Sequence, residues 1–322
     1  MNEALTPPLP LGKPVAEEVE APPLTLGDMA WRRFRRHKMA VFGAVLLVSM
    51  FLYAFGGSLF FTEKFANRND TKMKLQAPSA EHPFGTDEIG RDVLARTVYG
   101  GQISLIIGIA AVVLEIFVGV MLGALAGYFG GLLDSLLMRF TEAVLCIPSI
   151  FLLIVMAKFF AGSISNVTLF GRTFSGSVVV IVIIIGLTSW PYLARIVRAE
   201  FLSIKENEFI LAARATGTPT REIIFRHILP NTVAPIIVSA TLGVASAILS
   251  EAYVSFLGLG VQAPTATWGN MVESARHYIG TANEDKYWVW LFPSVLILLT
   301  VLSINFVGDG LRDALDPRSR AA

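Results

Sequence analysis

Six long apolar runs set what this chain can become. They occupy residues 39–61, 101–128, 136–160, 176–192, 233–249 and 288–307. A helix needs about 20 apolar residues to cross about 30 Å of hydrocarbon, and each run comes close once interfacial Trp and Tyr are counted. The fourth run is rich in Val and Ile, which in water would favour a strand. In lipid an isolated strand leaves its backbone groups unpaired, so a helix is expected there too. The composition agrees: 54% of residues are hydrophobic and 16% charged, against about a quarter charged in soluble domains. The expected fold class is all-α, a polytopic integral membrane protein with six transmembrane helices.

Lys and Arg give the expected orientation. With the N-terminus inside, 16 of the 26 fall on the inner side. The bias is steepest just before the first run, where five of the eight residues from Trp31 to Lys38 are basic. Both termini are therefore expected in the cytoplasm. Six prolines interrupt residues 1–27, and 1–30 reads as a disordered cytoplasmic tail. A basic juxtamembrane helix and the first span follow over 31–61, then an external loop over 62–100. A five-helix transmembrane domain fills 101–309, and a short cytoplasmic tail ends the chain at 310–322.

Several chemistries are missing. No Gly-x4-Gly-Lys-Ser/Thr phosphate loop is present, so ATP binding by this chain is not expected. No Gly-x-Ser-x-Gly elbow occurs. His37, His82, His227 and His277 are scattered, without metal-ligand spacing. Cys146 is alone, which rules out an internal disulfide. A net charge of +1 gives no reason to expect a nucleic-acid partner. No catalytic residue, metal site or cofactor is expected.

The segment 200–231 is charged, carries helix formers and lies between two apolar runs. A chain that only needs to turn around does so in a few residues. Here residues 206–216 and 219–227 read as two short helices. Gly217 takes the left-handed turn between them, and Thr218-Pro219 supplies an N-cap and a proline at the first helical position. Ala212 and Ala213 present small side chains, so a partner can approach the backbone closely.

The spacing Ala212-Ala213, three residues, Gly217, nine residues, His227, one residue, Leu229-Pro230 resembles the cytoplasmic signature loop of ABC-importer permeases, Glu-Ala-Ala-x3-Gly-x9-Ile-x-Leu-Pro. Leu211 stands where Glu is usual and His227 where Ile is usual. The ending Arg-His-Ile-Leu-Pro-Asn resembles the peptide and nickel branch. So do five further segments: the Trp31–Lys38 start, His82-Pro-Phe-Gly-Thr-Asp-Glu-Ile-Gly-Arg-Asp92, Ser255-Phe-Leu-Gly-Leu-Gly260, Trp268-Gly-Asn-Met271, and the Leu315-Asp-Pro-Arg318 ending. Together they resemble the C-type permease subunit of peptide importers from about Trp31 to Arg318.

That resemblance implies a type I ABC-importer permease fold in the inner membrane. It implies a partner permease subunit as the other half of a conduit, two cytoplasmic ATPases that hold ATP and Mg, and a periplasmic or lipid-anchored solute-binding protein. It also implies that Ala212, Ala213, Gly217, His227, Leu229 and Pro230 form the ATPase-coupling loop. Peptides are the expected solute, with nickel and glutathione as alternatives. A secondary carrier or channel remains a rival class, one that more often carries embedded charge and inverted repeats.

Within the spans, Glu115 is costly in hydrocarbon unless paired, protonated or wetted. It is a candidate for the translocation path or for a hydrogen bond to a neighbouring helix. Glu142 and Glu251 lie near span ends, where water is expected to reach them. Gly119, Gly123 and Gly127 bare one face of the second span for helix packing. Pro148 and Pro191 are expected to kink their helices, and Trp190, Trp288 and Trp290 to anchor at the interface.

Overall fold

The computed structural model describes residues 26–169, 172–279 and 284–315. A short basic helix, α1 (Leu26–Arg36), leads into α2 (Lys38–Phe51). His37 caps α2, its Nδ1 accepting from the Ala40 amide at 3.0 Å. The span continues through a π turn to Leu59. After α3 (Glu63–Ala66) the chain coils through 67–92 and enters α4 (Val93–Phe129). Asp92 caps α4 through the Ala95 amide at 2.7 Å. At 37 residues and 1.5 Å per residue α4 is about 55 Å long, well beyond the hydrocarbon thickness.

Gly130 and Gly131, both with positive φ, turn the chain into α5 (Gly131–Leu145), which is followed by α6 (Ser149–Phe159). A two-stranded hairpin, β1 (Val167–Leu169) with β2 (Arg172–Phe174), precedes α7 (Gly176–Ile204). Next come α8 (Glu208–Ala215), α9 (Thr220–Glu222) and α10 (Val233–Phe256). The short α11 (Trp268–Ser274) and the long α12 (Trp288–Leu315) close the chain.

Among the described residues five helices or helix runs are long and apolar enough to cross a membrane: Lys38–Leu59, Val93–Phe129, Gly176–Ile204, Thr220–Phe256 and Trp288–Leu315. The third expected span, 136–160, is different. It is broken into α5 and α6, which meet at 85°. Pro148 is extended (φ −56°, ψ 122°) and sits at the N-cap of α6. Proline lacks an N–H and disfavours helical geometry in the residue before it, so the expected kink is a full break. Pro191, by contrast, stays inside α7. Other helices run past the expected spans: residues 93–100 belong to α4, 193–204 to α7, 250–256 to α10 and 308–315 to α12. Of the tail expected over 1–30, residues 26–30 are helical, as the first turns of α1; residues 1–25 and those from 316 onward lie outside the described residues.

The α4–α7 pair is the most extensive helix contact. A Cβ added at Gly119 would lie 3.0 Å from Leu193 Cβ, at Gly123 2.5 Å from the Ala194 carbonyl oxygen, and at Gly127 2.6 Å from Phe201 Cβ. Lipid tails are as apolar as leucine, so helices associate in the bilayer by close packing, and bare glycine faces permit it. Around this seam Ile103, Ile107, Ile181, Ile184 and Ala247 form one buried cluster. Leu193, Val197, Phe201, Ile210 and Ile228 form another nearer the 200–231 end. The helices α2 and α10 pack on α12, and α10 also packs on α4.

Candidate functional site

The six residues singled out between 212 and 230 lie together on one elbow. Asn207, with extended backbone, precedes α8. At the other end of α8 the Gly217 amide donates to the Arg214 carbonyl and the Thr218 amide to the Ala213 carbonyl, both at 3.0 Å. Gly217 has φ +80°. This is the Schellman arrangement, which satisfies the last carbonyls of a helix and asks for a left-handed residue.

The restart differs from the expected one. Pro219, and not Thr218, occupies the N-cap (φ −62°, ψ 144°), and no side chain caps the helix. Nor is the second helix a separate short element. From Thr220 the chain passes through a π turn (Ile223–Ile228) and a 3-10 turn (Leu229–Thr232) straight into α10. Pro230 explains the wide turn: it has no N–H for the carbonyl four residues back, and its ring crowds that carbonyl. The Asn231 amide side chain donates to the His227 carbonyl at 2.6 Å.

The elbow is packed firmly against the bundle. Ile210, Ile223 and Ile228 are buried against Phe201, Val197 and Ile236. The Arg214 guanidinium lies over the Tyr128 ring, 5.4 Å from its centroid. Beside it Lys205 Nζ donates to the Gly127 carbonyl at 3.2 Å. The other face is open and apolar: Phe209 and Leu211 are each 47% exposed and Phe225 62%. Pro219, Phe225 and Pro230 line a groove of about 580 Å³ with Arg221, Glu222 and Arg226. Ala212 and Gly217 are exposed, Ala213, His227 and Leu229 half-buried. The exposed Phe residues carry no motif signal in the sequence; only their place on the elbow marks them.

Glu115 is apart from the elbow, on α4, and lines a cavity of about 960 Å³ with Ser189, Tyr192, Glu200, Asn231 and Arg312. It is 6% exposed. Among the described residues it makes no hydrogen bond or ion pair, so the helix-to-helix hydrogen bond considered for it is not formed. Gly243 on α10 leaves room for its carboxylate, since a Cβ there would lie 3.1 Å from Oε2.

Glu251, expected within reach of water, is 1% exposed. Ser104 and Ser255 donate to its carboxylate at 3.3 and 2.7 Å. The Trp268 amide donates to Ser104 Oγ at 3.2 Å, and Trp268 Nε1 to the Thr97 carbonyl at 2.8 Å. The short helix α11 folds over the span end and shuts water out. Glu142 does lie at the surface, paired with Arg139 at 3.4 Å.

Two of the three expected Trp anchors are placed differently. Trp190 is buried and stacks on Phe140, 5.8 Å between centroids. Trp288 is buried and donates to the Thr86 carbonyl at 3.1 Å. Trp290 is half-buried, and its Nε1 has no partner among the described residues. Protein covers the Trp190 and Trp288 rings, so they face packed neighbours and not headgroups.

The 82–92 segment is a clasp. Asp87 accepts from the Ile89 and Arg91 amides at 3.0 and 2.9 Å and pairs with Arg91 Nε at 2.6 Å. His82 Nδ1 meets Asp92 at 2.7 Å. Phe84 stacks on Phe292 with centroids 3.9 Å apart. The segment thereby fastens the start of α4 to α12.

Known proteins show the same architecture. In solved structures of the MetNI methionine ABC transporter in inward-facing conformations, one chain aligns with a TM-score of 0.53 at 21% identity. The alignment covers 70% of this chain and 96% of that one, and it shows a shared fold. In sequence, the dipeptide transport system permease protein DppC of Alkalihalophilus pseudofirmus is 41% identical, over 91% of this chain and 90% of that protein. The oligopeptide transport system permease protein OppC of Haemophilus influenzae is 40% identical, over 94% and 92%. Residues 25–78 match the N-terminal transmembrane domain of oligopeptide transport permease C. Residues 119–321 match the binding-protein-dependent transport system inner membrane component. The chain therefore belongs to the inner-membrane permease components of binding-protein-dependent transport systems, alongside the dipeptide and oligopeptide permease proteins.

Proposed function

We propose that this chain is the permease subunit of an ATP-driven ABC importer and forms half of a conduit that takes up di- or oligopeptides across the inner membrane. Near full-length similarity to dipeptide and oligopeptide permease proteins carries the reading. The other half of the conduit is a second permease subunit of similar fold. Two cytoplasmic ATPases hold ATP and Mg, and a periplasmic or lipid-anchored binding protein delivers the solute. Both termini and the 200–231 elbow lie in the cytoplasm, in keeping with the basic residues gathered there.

In this reading the elbow is the coupling device. Its exposed face of Phe209, Leu211 and Phe225 sits in a cleft of an ATPase, while its buried isoleucines tie it to α7 and α10. Closure of the ATPases moves the elbow, and the bundle alternates between two states according to which one the bound partners favour. Glu115 lines the path. Catalysis of ATP hydrolysis belongs to the ATPases, not to this chain.

The test is uptake by cells lacking this gene. Loss of radiolabelled dialanine or oligopeptide uptake, restored by the wild-type gene, is the expected result. Undiminished peptide uptake with loss of nickel or glutathione uptake would reassign the solute. No uptake defect of any of these kinds would overturn the importer reading.

A further inference from the structure

Two carboxylates are buried within the spans, and their surroundings differ. Glu251 is satisfied by Ser104 and Ser255. Glu115 is almost as deeply enclosed, 6% exposed, yet among the described residues nothing donates to it. A carboxylate at that depth is costly without a counter-charge. The cation lining the same cavity, Arg312, makes no ion pair with it. A cation that enters the cavity can supply the counter-charge that the described residues do not.

The cavity has room to supply it. Its volume of about 960 Å³ lies at the upper end of the about 300–1,000 Å³ found for small-molecule sites. Beyond Glu115 the lining includes Ser189, Ser239, Ser246 and Tyr192. Hydroxyls of this kind both donate and accept, so they can serve any peptide backbone without reading side chains. Gly243 keeps the wall bare beside the carboxylate.

We propose that Glu115 is a cation subsite of the conduit that receives the free α-ammonium group of a peptide in transit. This rests on the peptide-importer reading and adds the group that the conduit recognises. The ammonium donates to the carboxylate and supplies its counter-charge, while the hydroxyls carry the peptide groups. A peptide whose amine is acylated brings no cation and cannot complete the site.

The experiment uses the assembled importer, both permeases with their ATPases, in lipid nanodiscs without binding protein. Dicyclohexylcarbodiimide, which attacks buried carboxyl groups, is added, and mass spectrometry follows modification of Glu115. Millimolar dialanine is expected to slow the modification several-fold, and N-acetyl-dialanine to leave it unchanged. In the Gly243→Ala variant the new Cβ crowds the carboxylate, and the protection by dialanine should fall by about tenfold in apparent affinity, the scale of one charge-assisted hydrogen bond. Protection by both compounds would show an occupied cavity that does not read the amine. Protection by neither would show no site, and either outcome overturns the proposal. If the same complex, reconstituted in closed proteoliposomes with its binding protein, moves dialanine, the importer reading stands even when the subsite falls. If it moves none, both fall.

Discussion

Arg198 on α7 clasps Asp134 on α5 with two nitrogens, Nε at 2.5 Å and Nη2 at 2.6 Å from the two carboxylate oxygens. The pair sits just past the Gly130–Gly131 corner and ties the start of α5 to the helix that leads into the elbow. The Asp134 side chain is 15% exposed and that of Arg198 34%, so solvent screens the pair only in part. Arg198→Ala should cost about 1–2 kcal/mol, read as a lower melting temperature of the purified complex. The exchange of both charges, Asp134→Arg with Arg198→Asp, should recover part of that loss. If the single variants melt like the wild type, the pair is ornamental.

Gly217 has φ +80° and open space where a Cβ would be. A substitution there strains the backbone without a clash inside the chain. Gly217→Val should cost about 1 kcal/mol or more and leave the protein in the membrane but uncoupled, with ATP hydrolysed and little solute moved. Gly217→Asn, which tolerates the left-handed region, should transport better than Gly217→Val. Equal, wild-type transport by both would make the elbow a mere connector.

The open face of the elbow gives a separate test. Phe225 is 62% exposed in the groove that Pro219 and Pro230 flank. Buried aromatic anchors at interfaces are worth about 2 kcal/mol or more. Phe225→Ala and Ala213→Asp are expected to lower co-purification of the ATPase subunits without changing the amount of permease in the membrane. Undiminished co-purification in both would move the docking surface elsewhere.

The glycine seam predicts a failure of packing. A Cβ at position 123 would lie 2.5 Å from the Ala194 carbonyl oxygen, and backbone cannot step aside cheaply. Gly123→Val should destabilise the chain by about 1–3 kcal/mol, seen as aggregation or early melting in detergent. Normal melting would mean that the seam opens more readily than its spacing implies.

Orientation is tested chemically. In a Cys146→Ser background, single cysteines at Ser79 and Thr220, both exposed, are treated in intact cells with an impermeant thiol reagent. Labelling is expected at 79 and not at 220. The reverse pattern would invert the chain in the membrane.

The apolar runs made the helices legible, because length and hydropathy alone exclude other structures in lipid. The Gly217 turn was legible as well, since the left-handed residue and the proline after it are local signals. What stayed hidden depends on residues far apart in the chain. Glu251 looked accessible because its cover comes from Ser104, 147 residues away, and from the fold-back of Trp268. Pro148 signalled a disturbed helix, but whether a proline kinks or breaks depends on what packs around it. Pro191 stays inside α7 while Pro148 parts α5 from α6 at 85°. The same holds for Pro230, where buried Ile223 and Ile228 keep the chain helical and the ladder widens instead of parting. For Trp190 and Trp288, composition favours an interfacial role, and only the neighbouring helices decide against it.

The unbroken run Thr220–Phe256 makes the elbow one end of a strut. Its 37 residues span about 55 Å at helical rise, with Pro230 close to one end and Glu251 close to the other. No loop lies between them to absorb a push. The π turn at Ile223–Ile228 and the 3-10 turn at Leu229–Thr232 are the irregular joint, and α10 beyond them is regular helix. A thrust on the groove around Phe225 therefore flexes that joint, presses on α7 through the buried isoleucines, or travels along the strut to the Ser104–Glu251–Trp268 network at its other end.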